Sequence, residues 1–320
     1  MKKMLLLLVM VVISFTGCGK KETDEKGKVV IEYWYGLGGK LGKNMKQNIE
    51  NFNASQDKYE VKPIVQGSYD ETFQKLQAAM AAKDTPEIVL LNSKKAFSLG
   101  KRNLTESLNH MIDEDPKFNL DDFIGAFREQ VTYKGNIYGL PSYGTTQILY
   151  YNKSVLAKNG FTPNDLKTWQ GLEKVAKTIT KKKNEKTVYY GWEPMWGASN
   201  LIDASLSNGA KYFNEDGTKV MINSEEWVEV WDQFRKWINE DKIMKIHSGG
   251  QGWEYWYKTI DDVMQDRALG YTGSAGDQGD PDFTKLAAAP QPGWKNNPAK
   301  PQAGAQVLVI PKGISGRKKE

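Results

Sequence analysis

The sequence predicts an α/β protein made of two lobes, and three observations support this fold class. Between residues 29 and 91, short apolar segments alternate with segments of helical spacing, which is the pattern of α/β units. The same alternation begins again after residue 148, and a short segment at residues 142–147 joins the two stretches. The roughly 290 residues involved are enough for two domains with their own cores. The pattern therefore favours two lobes over one long sheet.

The first stretch begins with a strand at Val29–Tyr35, where β-branched and aromatic residues predominate. After a glycine-rich turn, apolar residues recur at helical spacing, and Tyr59–Val65 supplies a second strand. Ser68, with Glu71 three residues later, forms a capping box for the next helix. The apolar segment at residues 88–91 is typical of a strand in a parallel sheet that is covered on both faces.

The second stretch follows a predicted hairpin at residues 133–141 and opens with a strand at residues 148–151. Thr168 is predicted to cap a helix with one apolar face. Asn223 and Glu226 are predicted to cap a further helix. The wide apolar stripe of that helix consists of Trp227, Trp231, Phe234 and Ile238.

The N-terminus is typical of a bacterial lipoprotein. Two lysines precede an uncharged run too short to span a bilayer, which predicts a signal peptide over residues 1–17. Cys18, the only cysteine of the chain, stands where such proteins carry their lipid; the alternative is an incidental cysteine. Residues 18–28 are charged and almost devoid of apolar side chains, which predicts a flexible tether. We therefore expect a lipid-anchored protein outside the cytoplasm.

The charge balance argues against nucleic acid as a partner. The chain has 44 basic and 39 acidic side chains, and loss of Lys2 and Lys3 with the leader leaves 42 against 39, a net charge of +3. Nucleic-acid-binding domains usually carry a much larger basic excess. The single cysteine also leaves no partner for an intrachain disulfide.

Cofactor sites are not expected. The first strand is followed by four closely spaced glycines: Gly36, Gly38, Gly39 and Gly42. Their spacing departs by one residue from G-x-G-x-x-G, so they favour backbone N–H groups that line a ligand cleft over a dinucleotide site. His110 and His247 are the only histidines, and neither has a cysteine or a second histidine at ligand spacing. The sequence therefore predicts neither a metal site nor a cofactor.

Aromatic residues are in excess, with ten Trp and fifteen Tyr. Pyranose rings present apolar C–H faces that pack on aromatic rings, and planar polar side chains bind the hydroxyls, so an aromatic-lined cleft suits a sugar. Trp227, Trp231 and Trp237 lie in the amphipathic helix and are expected in the core. Trp192 and Trp196 lie in the aperiodic segment GWEPMWG and are predicted for the cleft, with plain packing as the alternative.

Several segments, taken together, resemble the family 1 extracellular solute-binding proteins of ABC importers. In order, these segments are YWYGLGGKLG, FNASQDKYEV, GSYDETFQKLQAAMAAKDTPEIVLL, IYGLP, QILYYNK and KTWQGL. GSYDE and LGK are similar to the glycerol-3-phosphate-binding branch, and residues 191–196 are similar to the cleft segment of the maltose-binding branch. The resemblance implies a two-lobed periplasmic-binding-protein-like (type II) fold, with the ligand cleft between lobes joined by hinge strands.

The resemblance also implies which residues bind the ligand. Tyr69 and Thr145 match ligand-binding residues of the glycerol-3-phosphate branch, and Ser274 is a looser match to another. Trp169 matches the tryptophan of a TW motif, and Gly304 matches a hinge glycine. With the two tryptophans named above, the residues predicted near the cleft are Tyr69, Ser93, Thr145, Trp169, Trp192, Trp196, Ser274 and Gly304.

The resemblance further implies an N-terminal lobe of residues 29–143 plus 305–320 and a C-terminal lobe of residues 144–304. Family members continue beyond a segment like VLVI, so we expect this chain to be truncated at its C-terminus.

The predicted function is that of a monomeric binding lipoprotein, not an enzyme, that captures a carbohydrate by hinge closure and delivers it to ABC permease subunits. Ser93 stands where the glycerol-3-phosphate branch has a glutamate, which favours a sugar over that solute. A glycerol-3-phosphate or glycerophosphodiester binding protein is the alternative. A secreted glycoside hydrolase and a structural lipoprotein without a ligand are less favoured.

Overall fold

The structure, a computed structural model, describes Thr23 and residues 27–314. The predicted signal peptide, the predicted lipidation site Cys18 and most of the predicted tether lie outside the described residues. Across the part of the chain that is described, no helix combines the length and the apolar character that a membrane span requires.

Strands and helices alternate along the described chain. The strands are β1 (Val29–Tyr35), β2 (Tyr59–Val65), β3 (Ile88–Asn92), β4 (Thr132–Tyr133), β5 (Asn136–Ile137), β6 (Leu140–Thr145), β7 (Gln147–Asn152), β8 (Lys181–Lys183), β9 (Lys186–Tyr189), β10 (Glu193–Pro194), β11 (Gly270–Ser274), β12 (Leu286–Pro290) and β13 (Gly304–Val309). The helices are α1 (Gly39–Ser55), α2 (Tyr69–Ala82), α3 (Ser93–Lys101), α4 (Asn109–Glu114), α5 (Gly125–Glu129), α6 (Lys153–Lys158), α7 (Trp169–Ile179), α8 (Ser199–Ser207), α9 (Glu225–Arg235) and α10 (Glu254–Met264).

Two main sheets, one in each lobe, organise the described residues. The N-terminal sheet has the order β2-β1-β3-β13-β6, and the C-terminal sheet has the order β10-β11-β7-β12. The chain crosses from the first sheet to the second at Thr146, between β6 and β7, and returns between β12 and β13. The first crossing lies within the predicted joining segment, residues 142–147. The two-lobed α/β fold predicted from the sequence is confirmed.

The centre of the N-terminal sheet is apolar on both faces. Val89 and Leu91 pack in the core cluster on one face, whereas Leu90 packs in the cluster on the other face, and all three are fully buried. Successive side chains of a strand point to opposite faces, so this run can serve two helical layers. The prediction of a doubly covered strand at residues 88–91 is confirmed.

Two of the predicted helix caps are confirmed. The Ser68 hydroxyl accepts a hydrogen bond from the backbone N–H of Glu71 at 3.2 Å, and the Thr168 hydroxyl accepts one from that of Gly171 at 3.0 Å. The Glu71 carboxylate, however, accepts from the N–H of Gly67 and not from that of Ser68, so the capping box is only half formed.

The predicted start of α9 and part of its apolar face are corrected. The helix begins at Glu225, and the N-cap residue is Ser224 instead of Asn223. Trp231 is 49% exposed, so its predicted place in the core is wrong. The buried face of this helix and the π-helical turn after it consists of Trp227, Val230, Phe234 and Trp237. These residues follow a spacing of three and four, which turns Trp231 towards solvent.

Candidate functional site: a cleft between the lobes

The candidate site lies where the two crossings of the chain meet. Gly304, at the start of β13, pairs with Thr145, at the end of β6, so both connections pass side by side between the lobes. Two cavities open at this point, and they share four lining residues: Thr145, Gln147 and Gln306 next to the two connections, and Ser199 at the start of α8. The cavities are therefore two compartments of one cleft.

The first compartment, which we call the aromatic cavity, has a volume of about 300 Å³. Six aromatic side chains line it: Tyr69, Tyr143, Trp196, Trp253, Trp256 and Tyr257. Polar side chains complete the wall, among them Thr145, Gln147, Ser274, Asp277, Asp280 and Gln306. Such a mixture of ring faces and hydrogen-bonding groups is typical of small-molecule sites.

The aromatic rings come from both lobes and contact each other across the cleft. Trp253, just before α10 in the C-terminal lobe, donates a hydrogen bond from Nε1 to the carbonyl oxygen of Gly36 at 3.0 Å. The edge of one ring meets the face of the other between Trp253 and Tyr69, with the ring centroids 5.2 Å apart. Tyr69 in turn shares a short phenol–phenol hydrogen bond with Tyr143 of β6. The two lobes are thus in direct contact along this wall.

The glycine-rich turn of the N-terminal lobe makes this contact possible. A side chain on Gly38 would place its Cβ 2.8 Å from the Tyr257 hydroxyl oxygen. Gly39, with a φ of +53°, leaves even less room, since its Cβ would lie 2.5 Å from the same oxygen. The glycines therefore permit a close approach of α10 to the turn, and Gly38 itself lines the aromatic cavity.

Asp277 anchors the C-terminal wall of the aromatic cavity. Its Oδ1 accepts a hydrogen bond from Trp256 Nε1 at 2.9 Å, which fixes the plane of the indole ring. The residue is only 5% exposed, and this burial raises the pKa of its carboxyl group to about 7, while the hydrogen bond from Trp256 opposes the rise. The stacked rings of Tyr150 and Tyr271, 4.9 Å apart, lie in the core cluster of the same lobe.

The second compartment, which we call the polar cavity, is larger, about 740 Å³. Its wall is held together by Gln130, whose Oε1 accepts hydrogen bonds from the Ser93 hydroxyl at 2.7 Å and from the Ala305 backbone N–H at 3.1 Å. Charged groups also line this compartment: Lys94, Glu129 and Asp203. Burial raises the pKa of Asp203 to about 6, and a hydrogen bond from the Gln302 N–H opposes the rise.

Six of the eight predicted binding residues line the cleft. Tyr69, Trp196 and Ser274 line the aromatic cavity, Ser93 and Gly304 line the polar cavity, and Thr145 lines both. Their contact with a ligand stays a prediction.

Trp169 and Trp192 are corrected, because the structure places both in the core and in neither wall of the cleft. Trp169 is fully buried, with its ring centroid 4.7 Å from that of Phe234. Trp192 is also fully buried and covers Gly270, where a Cβ would lie 2.6 Å from the indole ring. The segment that carries both Trp192 and Trp196 passes through the core before it reaches the cleft, so only the second tryptophan is available to a ligand.

Sequence reasoning missed the aromatic residues around the start of α10. Trp253, Trp256 and Tyr257 lie in the run WEYWY, and glycines precede this run. The density of aromatic residues after a glycine-rich loop was the available signal. It was overlooked because the spacing of these residues is also compatible with a buried helix face.

A buried charge cluster lies apart from both cavities. Glu193, His247 and Asp262 hold donor atoms within 4.8 Å of one another, close enough for a metal ion. Lys245, however, binds Asp262 in a short ion pair and lies 3.8 Å from Glu193, and Arg267 binds Asp262 from the other side. These two side chains already supply positive charge to the Asp262 carboxylate, and burial raises the pKa of Glu193 to about 9, so Glu193 is largely protonated at neutral pH. The cluster therefore fits an internal ion-pair network better than a metal site.

A two-lobed α/β fold with a ligand-sized cleft at the crossing of its connections defines the periplasmic-binding-protein class of folds. Residues 47–319 match the family described as bacterial extracellular solute-binding protein, and the chain belongs to this family. The membership predicted from the sequence is confirmed.

Relatives by sequence have names that refer to two kinds of ligand. The arabinooligosaccharide-binding protein of Bacillus subtilis (strain 168) is 23% identical over 326 residues, which cover 98% of this chain and 73% of that protein. The sn-glycerol-3-phosphate-binding periplasmic protein UgpB of Agrobacterium fabrum (strain C58 / ATCC 33970) is 27% identical over 213 residues. That alignment covers 62% of this chain and 48% of UgpB, so it extends over about half the length of that relative.

Solved structures share the fold. Maltose-bound MalE3 of T. maritima superposes with a TM-score of 0.77 at 23% identity, over 91% of this chain and 74% of that chain. UgpB from Mycobacterium tuberculosis in complex with glycerophosphocholine gives a TM-score of 0.78 at 17% identity, over 92% of this chain and 75% of that chain. At these identities the likeness establishes the fold and not the ligand.

Proposed function

We propose that this chain is the solute-binding component of an ABC importer and that it captures a carbohydrate in the cleft between its lobes. The aromatic cavity is the observation that carries this proposal. Its rings offer flat apolar faces to the C–H faces of a sugar, while Thr145, Gln147 and Gln306 offer hydrogen-bonding groups to the hydroxyls. Gln306 Oε1 is buried without a hydrogen-bond partner among the described residues, which leaves an acceptor beside the ligand.

The size of the cleft favours a ligand of more than one ring. The polar cavity continues directly from the aromatic cavity through the four residues that the two compartments share. One sugar ring would pack on the aromatic wall, and the next ring would extend towards Ser93 and Gln130. The name of the arabinooligosaccharide-binding relative supports an oligosaccharide.

Capture is proposed to work by hinge closure, as in other periplasmic binding proteins. The hinges would be the crossing at Thr146 and the returning crossing, which ends at Gly304. The bond from Trp253 to Gly36 would fasten the lobes once the ligand is buried. The closed form would then dock, as a monomer, on the permease subunits, and Cys18 would carry the lipid that keeps the protein at the membrane.

A glycoside hydrolase is less well supported than a binding protein. Hydrolysis needs two carboxyl groups on opposite sides of the glycosidic bond. Asp277 and Asp280, which line the aromatic cavity, are only three residues apart in one segment, which does not favour such a pair in this compartment. Glu129 and Asp203 line the polar cavity from different lobes, so the preference for a binding protein rests on the family match and not on a lack of carboxyl groups. Turnover of a chromogenic glycoside by the purified chain would contradict this argument.

Glycerol-3-phosphate is the second candidate ligand, because one feature of the polar cavity favours it. Ser93 and Lys94 begin α3 and line this compartment, so a phosphate could meet an ammonium group and the N–H groups of the helix start together. The UgpB relatives support the same candidate.

The test is a thermal-shift panel of mono-, di- and oligosaccharides with glycerol-3-phosphate, followed by calorimetry at low and high salt. A ligand at a hundred times its dissociation constant should stabilise the protein by about 2.7 kcal/mol. Binding of a neutral sugar should hardly respond to salt, whereas binding of a phosphate should weaken as salt rises. Salt-sensitive binding of glycerol-3-phosphate with no response to any sugar would overturn the carbohydrate assignment.

A further inference from the structure

The described wall of the aromatic cavity contains acidic but no basic side chains. Asp277 and Asp280 are the ionisable acids in its wall, and among the described lining residues there is no lysine, arginine or histidine. Lys40 is near, but its side chain packs over Gly279, and no ion pair within 4 Å joins it to Asp280 among the described side chains. A ligand in this compartment therefore meets negative charge and six aromatic rings.

The hydrogen bond of Trp256 also favours a positively charged ligand. Trp256 donates its Nε1–H to Asp277 Oδ1 at 2.9 Å, and a hydrogen bond to a carboxylate increases the electron density of the indole ring. An electron-rich ring face attracts cations, and tryptophan does so best among the aromatic side chains. Asp277 is buried, and because burial raises the pKa of its carboxyl group to about 7, it is partly ionised at neutral pH and adds to the negative charge of Asp280.

The second carboxylate of the cavity, that of Asp280, is exposed and lies at the other end of the same segment. Asp280 Oδ1 and the Tyr257 hydroxyl both lie next to Gly39, at 3.3 and 2.5 Å from the position of a Cβ on that glycine. Asp280 therefore stands at the line where the two lobes meet. A positive group held on the rings of the C-terminal wall would have this carboxylate beside it.

We infer that the aromatic cavity binds an organic ammonium group carried by the captured solute. Ring faces and a flanking carboxylate are the features that recognise such a group, and they repel a phosphate or an acidic sugar. The inference rests on the proposed capture of a solute by this cleft, and it adds the charge of the group that enters the aromatic cavity. The ammonium group belongs either to an amino sugar or to a choline-like headgroup.

Two matched pairs of probes distinguish these sources. The β-1,4-linked glucosamine disaccharide differs from cellobiose by amines in place of hydroxyls. Glycerophosphocholine differs from glycerophosphoglycerol, which is also a phosphodiester, by choline in place of the second glycerol. Calorimetry on the whole chain at about pH 7 and low salt should show about tenfold tighter binding for the ammonium member of at least one pair. The pair that responds identifies the source.

Asp280→Asn is the diagnostic variant, because Asp280 is exposed and its loss should leave folding intact. It should remove most of the ammonium advantage, so that the two members of the responding pair bind with similar affinity. Asp113→Asn, which removes an equal charge from an exposed position on α4 outside both cavities, should keep the advantage. Equal affinities within both pairs, or an advantage that Asp280→Asn leaves unchanged, would overturn the inference. Binding of cellobiose without preference would still leave the proposed carbohydrate capture standing, whereas no binding of any solute would contradict that proposal itself.

Discussion

Two tryptophans four residues apart offer a direct test of the proposed cleft. Trp196 is 48% exposed and lines the aromatic cavity, whereas Trp192 is fully buried beneath it in the core of the C-terminal lobe. Truncating each to alanine separates binding from folding within one short segment. Trp196→Ala should weaken ligand binding at a moderate cost in stability, and Trp192→Ala should cost more stability and leave the affinity of the folded protein nearly unchanged.

The expected magnitudes follow from burial. A tryptophan buries roughly 200 Å² when it is fully covered. A ligand that covers the exposed half of Trp196 would remove about 100 Å² from water, which is worth about 2.5 kcal/mol, or close to a hundredfold in affinity. Trp192→Ala instead leaves a cavity in a packed core, which costs about 3 to 5 kcal/mol of stability and lowers the melting temperature by about 10 °C.

The assay combines calorimetry with the best ligand of the thermal-shift panel and urea unfolding of both variants without ligand. Trp196→Ala should lose about 2 kcal/mol of stability, because the covered half of the ring packs on Tyr255, and this loss should be smaller than that of Trp192→Ala. Unchanged affinity in Trp196→Ala would mean that this ring does not contact the ligand. Loss of affinity in Trp192→Ala at full stability would refute the assignment of Trp192 to the core.

Three further perturbations test separate features. Burial, with a contribution from neighbouring Asp262, raises the pKa of Glu193 to about 9, above its ordinary value of 4.5. The folded chain therefore binds this proton more tightly than the unfolded chain, and the natural chain loses stability as the pH rises between the two pKa values. Glu193→Gln cannot ionise, so it does not suffer this loss. In thermal unfolding, the stability of Glu193→Gln relative to the natural chain should therefore increase from about pH 5 to about pH 8. If the difference in stability between Glu193→Gln and the natural chain did not change with pH, the raised pKa of Glu193 would be contradicted. In Gly38→Ala, the added Cβ would meet the Tyr257 hydroxyl at 2.8 Å. The variant should weaken ligand binding by hindering the approach of the lobes, without lowering stability. Equal affinities of the variant and the natural chain in calorimetry would count against closure at this contact. Cys18→Ala should abolish lipid labelling and detergent partitioning in bacterial cells, and a variant that stays membrane-bound would exclude the lipid anchor.

Much of the secondary structure could be predicted because its causes are local. Val29–Tyr35 is a strand because its β-branched and aromatic residues suit a buried sheet, and α7 begins after Thr168 because a hydroxyl there satisfies a free N–H. The start of α9 was wrong by one residue, since Asn223 and Ser224 are both good N-cap residues and only the packing of the helix selects between them.

The cleft could be predicted only in part, because its walls combine segments that are distant along the chain. Tyr69, Thr145 and Gly304 were expected there from family resemblance, and they line the cleft. Trp253 and Asp277 were missed, because nothing near them in the sequence shows that their segments meet the glycine-rich turn some two hundred residues earlier. That meeting depends on the paired crossings of β6 and β13 between the lobes.

The sequence by itself determined the alternation of strands and helices, the joining segment near residue 146 and the abundance of aromatic residues from which the candidate cleft is built. These features follow from local propensity, periodicity and composition, which act within a few residues. Only the tertiary structure decided which aromatic residues line the cleft. Trp192 and Trp196 have similar surroundings in the sequence, but the short strand β10 between them passes from the packed core to the edge of the cleft. Burial is a property of what packs around a residue, and for these two residues that packing comes from segments far away in the chain.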